Sequence, residues 1–402
     1  MLARRRLAAL TVAVAMVVAA CGGDDDDADS NASQDTSEST QASEQEDLET
    51  VTIGVIGNMT GIGAEPWGKP IDAGMRLALD EIEESGYLAD VGVELELELE
   101  DDGTEPTRAV TIFNGYEQDG IEIVVSHSFT PILAAVTPLA NDTETLYLNV
   151  GSAGTGENEE DFAFFLNDSV GPNLTLGEYL VKEGIKRPVA IVDGDNAAFG
   201  FLAGNIEKGI QEAGNDGFIA TETVATTDTD FSSVITNLER ENPDAVILAI
   251  TPAASGNALQ QIAQAGAFPD ALMVGSIGWS STVHDVAGDA AVGASFSQPW
   301  APGAEGSEAF SDAYMEANDT APTAYSALGY QAGWLLATAI KMAKDAGDEI
   351  TGPVMRDLLA EASTANTEHT LISGFTLDDA GVPSYPGVVA TFGPDGAIES
   401  VS

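Results

Sequence analysis

The sequence predicts an α/β fold built from parallel sheets in two lobes. Apolar runs of strand length alternate with helix-periodic segments for most of the chain. Two of those strands pass through Thr-Pro straight into a helical segment, as parallel strand–helix units do. The 352 residues after position 50 also exceed one small domain and suit two lobes.

The first strand is VTIGVI (51–56). A helix follows from Pro70, with Ile71, Met75, Leu79 and Ile82 at helical spacing. VELELELE (93–100) alternates strictly, as a strand with one wet face at a sheet edge would. IEIVVS (121–126) and TLYLNV (145–150) complete this half. A second series opens with the strand PVAIVD (188–193) and a helix over 199–213. Asp230 is placed to cap the helix FSSVITNLER, which Asn242-Pro243 closes. AVILAI (245–250) and ALMVGS (271–276) are further strands, and residues 325–347 form a long apolar helix. Short strand-like pieces are expected from there to the end.

Between the first strand and first helix stands GAEPWGKP (63–70), close in spacing to a phosphate-binding loop. Such a loop needs backbone N–H groups between its glycines and a hydroxyl after the lysine. Here Pro66 lacks the N–H, Trp67 is bulky and Pro70 occupies the hydroxyl position. Nucleotide binding is excluded on those three counts.

The N-terminus fixes the compartment. Arg4, Arg5 and Arg6 precede a fourteen-residue apolar run, Leu7 to Ala20, the length of a signal-peptide core. It is short of the ~20 residues that span a bilayer. It ends in VAAC, which resembles a bacterial lipobox, and Cys21 is the only cysteine. Residues 1–20 are therefore expected to be a lipoprotein signal peptide, with Cys21 lipidated. Residues 21–50 are acidic, polar and nearly free of aliphatic side chains, and are read as a disordered tether. The net charge of −52 divides into +3 for the leader, −11 for the tether and −44 for the remainder. Such a surface repels nucleic acid and anionic headgroups.

The candidate binding groups lie just after strands. Thr130 and Thr251 suit helix N-caps, with Pro131 and Pro252 in the first helical position. Ligands of open parallel sheets sit outside the carboxyl ends of the strands, where helix starts expose N–H groups. The loop NVGSAGTG (149–156) adds the Ser152 hydroxyl and glycines that permit close approach. Trp67, Phe199 and Trp279 follow strands in the same way and supply aromatic walls. The alternative is that both threonines only cap their own helices and that the aromatics pack locally. His127, His284 and His369 lack metal-ligand spacing, no G-x-S-x-G elbow is present, and no enzyme chemistry, cofactor or metal is expected.

Four segments now stand in sequence: IGVIGNMTGIGAEPWGKPIDAGMRLALDEIEESG, EDDGTEPTRAV, DFSSVITNLERENPDAVILA and YSALGYQAGWLLATAI. In this order behind a lipobox, they resemble the leucine/isoleucine/valine-binding branch of the type I periplasmic binding proteins, which serve ABC importers. The likeness covers roughly residues 51–400. It implies two doubly wound parallel-sheet lobes joined by three crossovers, with an N-terminal lobe of 51–172 plus 301–385 and a C-terminal lobe of 173–300 plus 386–402. It implies a side-chain wall at Trp67, a carboxylate site at Thr130, Ser152 and Ala153, and an aromatic at Phe199 that is usually tyrosine. Two positions depart from the family pattern. Ile277 stands where amino-acid binders place a carboxylate for the ligand's ammonium, so Asp193 or Asp195 substitutes or the ligand carries no ammonium. Thr251 stands where an aromatic is common. The resemblance implies a monomeric, lipid-anchored protein that captures a small amino-acid-like, amide or carboxylate solute and presents it to an ABC permease. A lipid-anchored sensor signalling to a membrane receptor is the alternative.

Overall fold

The computed structural model describes residues 48–61, 63–128, 130–154, 158–365 and 367–401. The expected leader, Cys21 and most of the expected tether lie outside them. The described residues form one compact unit.

Its first sheet holds β1 (Glu49–Gly57), β2 (Val93–Asp101), β3 (Ile123–Ser126), β4 (Leu146–Gly154) and β5 (Ala163–Asp168) in the order β2-β1-β3-β4-β5. All of its pairings are parallel. The second sheet has the order β14-β13-β10-β9-β8-β6-β7. Its strands are β6 (Pro188–Asp193), β7 (Ala220–Val224), β8 (Ala245–Ala249), β9 (Leu272–Gly275), β10 (Ser295–Gln298), β13 (Val388–Phe392) and β14 (Ile398–Ser400). β13 and β14 run antiparallel at one edge. A two-stranded pair, β11 (Thr376–Leu377) and β12 (Pro383–Ser384), stands apart.

The helices are α1 (Lys69–Ser85), α2 (Pro106–Gln118), α3 (Thr130–Thr143), α4 (Gly171–Lys182), α5 (Ala197–Glu212), α6 (Ser232–Glu239), α7 (Pro252–Ala265), α8 (Ser281–Ala287), α9 (Glu308–Asn318), α10 (Ala324–Ala346) and α11 (Gly352–Ala365). β1 begins two residues earlier than its apolar run, because Glu49 and Thr50 still pair with Val93 and Glu94. α11 corrects the expectation of strands alone after α10: Met355, Leu359 and Ala362 recur at helical spacing and are buried. Asp230 is not the cap of α6, which is Phe231; it stands one place earlier, where its carboxylate accepts the Ser232 N–H at 3.0 Å and the Ser232 hydroxyl at 2.6 Å. β2 is an edge strand as its alternation predicts, with its glutamates exposed and Leu95, Leu97 and Leu99 half-buried. A row of like charges on an open edge discourages pairing with another strand.

The chain passes between the sheets three times, after β5, after β10 and ahead of β13. The three passages touch. Buried Asp168 accepts the N–H groups of Val170 at 2.6 Å, Gly171 at 3.0 Å and Tyr385 at 3.4 Å. In return the Tyr385 hydroxyl accepts the Asp168 N–H at 2.7 Å. Burial raises the Asp168 carboxyl above its ordinary value, against those hydrogen bonds. Gly387 has φ +65°, and a Cβ there would lie 2.6 Å from the Gln298 carbonyl at the end of β10.

α1 and α10 form the main helix pair on the first sheet. Their backbones nearly touch: a Cβ on Gly74 would lie 1.9 Å from the Ser326 carbonyl oxygen, and one on Gly329 would lie 2.1 Å from that of Ile71.

Candidate functional site

β1, β3 and β4 are neighbours in one sheet, and Ile56, Ser126 and Asn149 stand level across them. Trp67 and Thr130 follow β1 and β3, while Ser152 lies within the last residues of β4, at the register shift after Asn149, so the three share one carboxyl edge. The segment Ala64–Gly68 is a π-helical turn, in which the Trp67 and Gly68 N–H groups both donate to the Gly63 carbonyl, at 3.0 and 3.1 Å. Gly63 sits at φ +90°, and the Trp67 ring lies where its Cβ would be. A Cβ on Gly68 would be 1.7 Å from the Asn58 carbonyl. The turn is therefore packed shut against its own loop, with no room for a phosphate.

Thr130 opens α3 as its first helical residue, one place later in the helix than a cap, and is exposed. Pro131 is second. Ser152 is buried, with its N–H donated to Asn149 Oδ1 at 2.7 Å. Its hydroxyl lies 3.5 Å from the Ser128 carbonyl, which also accepts Asn149 Nδ2 at 3.1 Å. The Ser128 hydroxyl in turn donates to Asp102. Burial raises the Asp102 carboxyl, while the Ser128 bond opposes the shift. Asp101 ties down the loop after β1, accepting Met59 N–H at 3.0 Å, Thr60 N–H at 3.1 Å and the Thr60 hydroxyl at 2.6 Å. Four loops of this edge are thus held by one polar network, and Asp101, Asp102, Ser128 and Asn149 are positioning residues. The side chain of Ala153 lies outside the described part of the chain.

The second lobe presents a matching edge from neighbouring β6, β8 and β9. Thr251 caps α7, accepting the Ala254 N–H at 3.4 Å, and remains partly exposed. Phe199, in the first turn of α5, reaches across so that its ring is 3.9 Å from where a Gly278 Cβ would be. Ile277 is buried and donates its N–H to Asn173 Oδ1 at 3.3 Å. Beside it the buried Ser276 hydroxyl has no protein partner.

Two expected site residues go elsewhere. The Trp279 ring is turned into the core rather than forming an open aromatic wall, and at 2% exposure it only edges the chamber between the lobes. It stacks on Phe392 at 6.2 Å and packs on Phe296 at 5.6 Å in the second-lobe core, with Nε1 donating to Ser255 Oγ at 3.1 Å. The cause is Gly275, whose missing Cβ leaves the space that the indole occupies. Asp193 is buried and spent on its own loop, accepting the N–H groups of Asp195 and Asn196 at 2.9 and 3.2 Å and the Thr226 hydroxyl at 2.7 Å. Asp195 stays exposed and accepts the Thr226 N–H at 3.3 Å.

One residue escaped sequence reading. Tyr325, in the first turn of α10, faces the Trp67 ring at 6.2 Å and 56°. Its hydroxyl lies against Asn167 near the first crossover, and burial raises its pKa to about 12. Thr323 as a helix cap was the available signal, since it places Tyr325 in a helix's first turn.

His127 directly follows β3 at this edge and is buried, with neither ring nitrogen partnered by protein. Burial lowers its pKa to about 4, with Arg76 adding to the fall and Asp72 opposing it. The folded protein keeps the ring neutral where an unfolded chain, titrating near 6.5, takes up a proton. Stability is therefore full above pH 6.5 and is lost as pH falls toward 4, by about 3 kcal/mol from this group. Urea titrations across that window should show a pH slope that His127→Gln removes.

Pro66, after β1, and Ser280, after β9, line one shared chamber, so the two carboxyl edges face each other. Two sheet-based lobes linked by three passages of the chain, with helix starts and rings opposed across a gap, define a class of two-lobed binding proteins. The family model described as periplasmic binding protein matches residues 50–395, and the chain belongs to that family. The leucine-, isoleucine-, valine-, threonine- and alanine-binding protein of Pseudomonas aeruginosa is 25% identical over 341 residues, which is 83% of this chain and 87% of that protein. Solved structures share the fold. The LivJ branched-chain amino acid binding protein of Streptococcus pneumoniae, in complex with isoleucine, superposes with a TM-score of 0.69 at 22% identity, covering 88% of this chain and 99% of that one. A solute-binding protein of an ABC transporter from Rhodopseudomonas palustris, in complex with 3,4-dihydroxybenzoic acid, gives 0.61 at 19% identity, covering 87% and 91%.

Proposed function

We propose that this chain is the extracytoplasmic solute-binding lipoprotein of an ABC importer, anchored through Cys21 and acting as a monomer. It captures a small amino-acid-like, amide or carboxylate solute between its lobes. The observation that carries the reading is the opposition of two carboxyl edges, one bearing Trp67, Thr130 and Ser152 and the other Phe199, Thr251 and Ile277. Hydroxyls at helix starts suit a ligand carboxylate or carbonyl, because helix N–H dipoles favour negative charge there. An ammonium would find Asp193 already committed, leaving exposed Asp195 as its partner on that loop. Ligand that bridges both lobes gains its full contacts only in the closed form, so binding shifts the population toward closure.

The names of the relatives favour transport of amino-acid-type solutes. A thermal-shift screen of amino acids, their amides and small carboxylates tests the reading. A ligand at a hundred times its Kd adds about 2.7 kcal/mol, a rise of several degrees, and should also change tryptophan fluorescence. A screen in which no member of these classes moves either signal would remove the proposal.

A further inference from the structure

The cleft continues past Trp67. Between the lobes lies a chamber of about 390 Å³, walled chiefly by Pro66, Trp300, Pro302, Pro322, Tyr325 and Ile398. Its volume falls within the range of small-molecule pockets, about 300–1,000 Å³. Three features tie it to the candidate site. Pro66 adjoins Trp67, and Tyr325 is shared between the Trp67 contact and the chamber wall. On the other lobe, Trp279 and Ser280 of the chamber directly follow Ile277 and Gly278. Finally, the wall is contributed by both lobes and the second crossover, so its shape changes with closure.

We propose that this chamber receives an apolar or aromatic tail of the ligand, which makes the solute a monocarboxylate or its amide with a bulky tail. The inference rests on the cleft being the ligand site. Apolar walls reward burial of an apolar tail in proportion to the area removed from water. The prolines and the ring of Trp300 keep the walls stiff, so little ordering is paid on binding. Charge narrows the class further. Among the described residues lining the chamber, the charged side chains are Glu65 and Glu399, with no lysine or arginine. Glu65 is paired with Lys69, which leaves Glu399 as the charge that faces the chamber. A second carboxylate at the tail end would therefore meet like charge and be rejected.

Calorimetric titration with two series tests this: propionate and isobutyrate, against 3-phenylpropionate, 4-phenylbutyrate and their amides. The wild type should bind the long-tailed members at least tenfold more tightly than the short ones, and glutarate more weakly than either. Ala321 and Ala397 are exposed residues on opposite walls of the chamber, where a larger side chain can be added without disturbing the core. Ala321→Phe or Ala397→Phe should bring the long-to-short affinity ratio down toward one, and each guards against misfolding of the other. Short members that bind while tails bring no gain, or an unchanged ratio in both folded variants, would overturn the chamber and leave the cleft standing. Failure of both series to bind the wild type would overturn the cleft reading itself.

Discussion

Gly329→Val should be a severely damaging substitution on the first sheet, lowering stability by about 3 kcal/mol and the melting temperature by roughly 6–12 °C. The cause is backbone against backbone. A Cβ on Gly329 would lie 2.1 Å from the Ile71 carbonyl oxygen, and neither atom belongs to a side chain that can rotate away. The only relief is to move α10 off α1, which opens gaps beneath Ala327, Ala332 and Leu336 in the largest core cluster. Gly115 in α2 supplies the contrast. It has ordinary helical geometry, and a methyl added there would meet nothing within 4 Å, so Gly115→Ala should raise stability by up to about 1 kcal/mol through helix propensity. Differential scanning calorimetry on the pair separates close approach from the general effect of losing a glycine. Equal and small shifts for both would show that α1 and α10 are not in backbone contact.

Trp67→Ala should reduce ligand affinity by about 10- to 100-fold, the cost expected of truncating an aromatic anchor. Its effect on the ligand-free fold should be small, because the ring is half-buried on Gly63 and Tyr325 outside the main core. Calorimetric titration of the tightest ligand gives the affinity, and the melting temperature without ligand gives the control. A variant with wild-type affinity would move the binding site away from the first-lobe edge. A variant that loses affinity only in proportion to its melting temperature would make Trp67 a packing residue.

Much of the architecture was legible because parallel strands buried on both faces must be continuous apolar runs. PVAIVD and AVILAI read as strands for that reason and pair as β6 and β8. The cap at Thr251 was legible from Thr-Pro after a strand, although the same pair at Thr130 starts its helix one residue earlier and makes no cap. Direction was harder. Position after a strand places Trp279 in a loop but does not say which way the ring turns, and Gly275 draws it inward. Asp193 shows the same limit. A carboxylate at a strand end fits a ligand or a loop equally well, and the deciding partner, Thr226, comes from the next strand–loop unit. Tyr325 was missed because its neighbour Trp67 is distant in sequence, and only the packing of α10 on α1 brings them together.

The contact among the three crossovers has a mechanical consequence. Asp168, Tyr385, Gly387 and Gln298 draw the connections into one small bearing, so the halves can swing about it but have little freedom to slide. A single spectroscopic ruler, with one label on each half far from that bearing, would therefore track the whole displacement as one angle.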